Sequence, residues 1–170
     1  MTTPKRRLTV LKDDGEAEEV PRPPWQWIGF GALAIFTAWL PLAYPATLLA
    51  RTLLARYAQG STPEEVARAL ASAPAGEIAR LEVEVRLLLA LPLAVAAFAG
   101  GYLVGRWGRR VGVREAALAG LVTGLLTCAL SWSREGFSWA PLAGIALSVP
   151  MSAWGGAAGL RTLRAKGGGA

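Results

Sequence analysis

Charged residues fall along this chain in blocks, and the gaps between the blocks are long. Pro23–Ala50, Leu87–Gly105, Ala116–Ser133 and Gly136–Leu160 contain no Asp, Glu, Lys or Arg. The shortest of these stretches holds 18 residues. At about 1.5 Å per residue it reaches about 27 Å, close to the ~30 Å hydrocarbon core of a bilayer. A soluble helical domain can hide one such stretch, but four within 170 residues leave it little polar surface. The pattern therefore predicts an all-α integral membrane protein with four transmembrane helices, over about 26–48, 87–105, 116–133 and 138–160.

The connections carry their own local signals. In the loop 51–86, Thr62-Pro63-Glu64-Glu65 supplies an N-cap, a proline at the first helical position and a glutamate at the third, which together make a capping box. A short helix over about 63–72 is expected, broken at Pro74-Ala75-Gly76, with a second helix running from about Glu77 into the second span. This loop reads as a short extracytoplasmic helical cap between helices 1 and 2. Acid-first pairs four residues apart, Glu64 with Arg68 and Glu82 with Arg86, would add tenths of a kcal/mol each. Pro41 and Pro45 lie inside the first span. Each removes a backbone donor, so a kink or an end near Tyr44 is expected, followed by an amphipathic helix from about 46 along the outer surface. Spans three and four form a hairpin closed by Arg134-Glu135-Gly136, with Ser138 capping the fourth.

Residues 1–24 run basic, then acidic, then Pro21-Arg22-Pro23-Pro24, and read as an unstructured tail; 161–170 forms a second tail. Five acidic residues between Asp13 and Glu19 precede the first apolar stretch, which argues against a cleaved signal peptide. The net charge of +6 sits at the ends of the spans, which suits orientation and anionic lipid better than nucleic acid. With both termini in the cytoplasm, 12 basic residues lie inside and 6 outside. Arg106, Arg109, Arg110, Arg114, Arg161 and Arg164 then form an inner basic rim that orients the chain or meets anionic lipid. The strong preference for Arg over Lys, with abundant Ala and Gly, suggests a bacterial source, and hence the plasma (inner) membrane.

Chemistry is thin. There is no histidine and only one cysteine, Cys128, so imidazole ligation, Ser-His catalysis and CxxC redox work within this chain are excluded. No ionisable carboxylate or base lies within a span, although such groups usually mark proton-coupled transport. No phosphate-binding glycine loop is present. No catalytic, cofactor or metal residue is nominated.

The strongest positive signal is small residues four apart. Ala140, Gly144, Ser148, Ser152 and Gly156 mark the fourth span, Ala116, Gly120, Gly124 and Cys128 the third, and Ala97, Gly101 and Gly105 the second. Such rows let helix backbones approach closely. The row on the fourth span packs within the bundle or seats another subunit. Gly100-Gly101 and Gly155-Gly156 each lead into basic residues, an internal echo that duplication of a two-helix unit or pressure at inner helix ends would both produce. The leading expectation is a non-enzymatic subunit or assembly protein working through helix packing. Its partners would be membrane lipid and other membrane subunits or further copies of itself. The rival is a passive channel or uncoupled carrier for a small solute, its path lined by hydroxyls beside Pro41, Pro92 and Pro150.

Overall fold

The computed structural model describes residues 23–59, 62–108, 112–135 and 140–167. Among them are five helices: α1 (Pro24–Ala58), α2 (Pro63–Ser72), α3 (Ala75–Trp107), α4 (Val113–Glu135) and α5 (Ala140–Gly167). Three stretches, Pro24–Ala58, Ala75–Trp107 and Val113–Leu130, are long and apolar enough to cross a membrane. The chain is a multi-pass membrane protein. α5 does not reach that apolar level, because Gly, Ser and Pro occupy much of it. The N-terminal tail and the expected cap Ser138 lie outside the described residues.

Local signals act where they stand alone. The Thr62 hydroxyl accepts from the Glu65 amide at 3.3 Å, and the Glu65 carboxylate accepts from the Thr62 amide at 3.1 Å. α2 then ends at Ala73, and Pro74 caps α3 without a side-chain hydrogen bond. The ion pairs among the described residues are Glu82 with Arg86 and Arg80 with Glu84, all on the exposed start of α3. The Glu64–Arg68 pairing expected from spacing is not among them.

At α1 the expected end near Tyr44 does not occur. The helix runs 35 residues without interruption, through both Pro41 and Pro45. No separate helix begins near 46, and α1 ends at Gln59, whose left-handed φ of 50° lets its amide reach back to Ala55 and Arg56. Tertiary contact explains the difference: Ala46 and Ala50, beyond both prolines, are buried, so packing carries the helix past the donors it lacks.

The four long helices form a closed ring in the order α1, α3, α5, α4, with α3 and α4 meeting only weakly across it. α1 and α4 run one way, α3 and α5 the other. The centre is narrow: Ile35, Ala96, Ala97 and Ala119 are fully buried, with Trp39 and Met151 packed against them. All four helices contribute to that core, and most of it is alanine.

Candidate functional site

The residues that decide this bundle's shape lie where α3 crosses α5. Gly101 and Gly105 face α5, and Gly155 and Gly159 face α3. A Cβ built on Gly101 would overlap the carbonyl of Ser152, and one on Gly155 the carbonyl of Phe98. One turn further on, Gly105 meets the Gly156 carbonyl and Gly159 meets the Tyr102 carbonyl. Each glycine thus rests on the carbonyl three residues before its opposite number. The four contacts are exchanged in pairs by a two-fold rotation along the bundle. A helix surface without side chains lets Cα–H groups point directly at carbonyl oxygens, a contact worth about 0.5–1 kcal/mol each.

Serines make the second seam, between α5 and α4. Ser148 donates to the Gly120 carbonyl at 3.0 Å and Ser152 donates to the Ala116 carbonyl at 2.7 Å. Both serines are fully buried. Gly120 faces the Ser148 carbonyl, where a Cβ would sit at 2.6 Å, and Gly124 faces Ile145. Gly156 lies at the junction, against Ala116 of α4 and close to Gly101 of α3. A third close approach joins α1: at Gly31 a Cβ would meet Ala119 and Val104, each at 2.7 Å.

Of the residues singled out by spacing, Gly101, Gly105, Gly120, Gly124, Ser148, Ser152 and Gly156 thus meet in these two seams. Gly144 does not join them. About three turns along α5 from Gly155, its Cβ position meets only the tip of Leu93, at an ordinary 3.7 Å. The spacing argument also passed over Gly155 and Gly159. They form their own four-residue pair beside the serine row, and that pair was visible in the sequence.

The basic residues divide. Arg106 is half-buried and donates through Nη1 to the Tyr102 hydroxyl at 2.9 Å, while Arg114 and Arg161 are exposed. Arg109 and Arg110 lie outside the described residues, as does the side chain of Arg164. Aromatic rings gather at the same end: Trp27 stands edge-on to Phe30, and Phe30 leans on Trp107.

Several threonine hydroxyls within the helices are committed to carbonyls. Thr37 donates to Leu33, Thr123 to Ala119 and Thr127 to Thr123. Among the described residues no three metal-ligating side chains come together. Beyond the bundle, Tyr57 donates to the Glu77 carboxylate at 2.7 Å, tying the end of α1 to the start of α3. That hydrogen bond to a carboxylate, with some desolvation and the nearby negative charge, raises the Tyr57 pKa above its usual value.

No protein family, curated protein or solved structure matches this chain. Function therefore has to be argued from the geometry.

Proposed function

We propose that this chain is a four-span accessory or assembly subunit of a bacterial plasma membrane, with both termini in the cytoplasm, acting through its outer helix surfaces. The fourth span is argued from register. Gly31 faces Ala119, so the parallel helices α1 and α4 reach Tyr44 and Trp132 at one level. The two-fold pairing of α3 with α5 brings Arg86 level with the start of α5, to within about a turn of the same height. At the other end Trp25, Trp107, Val113 and Leu160 fall together by the same registers. Between the two levels every long helix, α5 included, has about 20 residues, the length that crosses ~30 Å. Small residues lower the hydropathy of α5 because it spends its surface on neighbouring backbones rather than on lipid.

One observation carries the choice of function: the helix seams are backbone resting on backbone, and the centre between them is filled by Ile35 and alanines. The α3–α5 and α4–α5 seams leave no width for a solute. Thr123, Ser148 and Ser152, the buried hydroxyls of α4 and α5, donate to carbonyls rather than into a lumen. A solid bundle of this kind suits a part that holds other parts. The small-residue row of α5 is consumed inside the bundle, so any partner docks elsewhere.

Extraction in mild detergent followed by native mass spectrometry tests this reading. A defined homo-oligomer or stoichiometric heteromer supports it. A strict monomer that passes small solutes in proteoliposomes overturns it in favour of a carrier. Orientation is tested separately: a reporter active only outside the cytoplasm should be silent at 110 and 170 and active near 60. Activity at 110 reverses the topology.

A further inference from the structure

We propose that the basic end of the α3–α5 crossing is a binding site for the phosphate of an anionic phospholipid headgroup. A cavity of about 230 Å³ opens there, lined by Arg106, Trp107, Thr162 and Leu163. That volume is below the ~300–1,000 Å³ of pockets that enclose drug-sized ligands, and it suits a headgroup phosphate held at one end of a larger lipid.

The guanidinium is held ready. Arg106 Nη1 donates to the Tyr102 hydroxyl, and its charge lies 6.0 Å from the Tyr102 ring centre. Tyr102 in turn lies 3.4 Å from the Thr162 hydroxyl across the helix crossing, and Thr162 donates to the Gly159 carbonyl at 2.8 Å. The glycine contacts that bring α3 and α5 together therefore also set the distance between Arg106 and Thr162. An arginine has five N–H donors in a planar fork, so one bond to Tyr102 leaves the remainder of the fork to the cavity. The walls are of mixed character: the guanidinium on one side, Trp107 and Leu163 on the other. Free phosphate would gain nothing from the apolar half, whereas a phospholipid uses both. Trp107 is largely exposed, as an indole at the headgroup level should be.

The test compares the full-length protein in detergent titrated with phosphatidylglycerol and with phosphatidylcholine, read by native mass spectrometry. Wild type should favour phosphatidylglycerol by about fivefold or more. Arg106→Gln should abolish the preference, and Arg51→Gln, exposed near the other end of the bundle and outside the cavity, should keep it. Thermal unfolding in phosphatidylcholine nanodiscs checks that Arg106→Gln still folds. If it does not, Tyr102→Phe carries the test, because it keeps the ring, removes the hydroxyl that holds Nη1, and should weaken the preference. Equal binding of the two lipids by wild type overturns the proposal. So does equal loss in Arg106→Gln and Arg51→Gln, which is the mark of general surface charge. Displacement of the lipid by millimolar inorganic phosphate would show that free phosphate is the ligand, and would also overturn it.

Discussion

Glycine stands in two different settings in this chain, and only its surroundings distinguish them. At Gly101 the hydrogen in place of a side chain lets two backbones touch; at Gly144 and Gly29 there is room for a methyl group. Gly101→Ala should therefore force α3 from α5 and cost about 1–3 kcal/mol, the range for overpacking a filled core. Gly144→Ala should be neutral or slightly stabilising, since alanine is the better helix former. Unfolding in mixed micelles ranks them, and equal effects would mean that the crossing is not close. A four-residue repeat marks a row on a helix but not which neighbour that row meets. Spacing therefore drew attention to the serine row of α5, which faces α4, rather than to the adjacent glycine pair that faces α3. The Tyr57–Glu77 bond was not legible at all, since it joins residues 20 apart through the fold. It has a pH signature. A phenol whose folded pKa is raised contributes stability that is complete below the unfolded value of about 10 and is lost as pH rises through the folded pKa. The tyrosinate absorbance that Tyr57→Phe removes should titrate above pH ~10, and Glu77→Gln should bring that component down towards ~10.

Elements defined by their own sequence were readable, and elements held by neighbours were not. α2 needs only Thr62, Pro63 and Glu65 to start, buries no residue fully and touches α1 lightly, so its start follows from four consecutive residues and its end from Pro74. α1 depends on contacts that a linear reading lacks. Pro41 and Pro45 argue locally for an end, while burial of Ala46 and Ala50 argues for continuation and prevails. This contrast predicts where stability is local. Thr62→Ala removes the cap of α2 and should cost about 0.5–2 kcal/mol there. Amide exchange in nanodiscs should then accelerate at Glu65 and Val66 while Ala96 and Val104, deep in α3, keep their protection. If α3 loosens too, α2 is part of the main cooperative unit rather than an appendage.

Taken whole, the bundle is two hairpins, α1 with α3 and α4 with α5, joined chiefly at the α3–α5 crossing. The pairing there is reciprocal to the residue: Gly101 answers Gly155, Gly105 answers Gly159, and each rests on the carbonyl three before its mate. It does not extend to the outer helices, since Gly100 packs on Ile35 of α1 whereas its counterpart Trp154 is exposed. The echo in the sequence set Gly100-Gly101 beside Gly155-Gly156, one residue out of register with this pairing. The crossing has a mechanical consequence. Most of the close backbone contact joins one hairpin to the other or lies within the second, and little of it depends on the short 108–112 connection. A chain cut in that connection and expressed as two fragments should therefore reassemble and co-purify. Gly155→Leu in the second fragment should prevent this, since its side chain would displace α3 along the whole crossing, whereas Leu142→Ile, on an exposed face, should not. Fragments that fail to associate, or that associate despite Gly155→Leu, would show that the glycine crossing is not what joins the two halves.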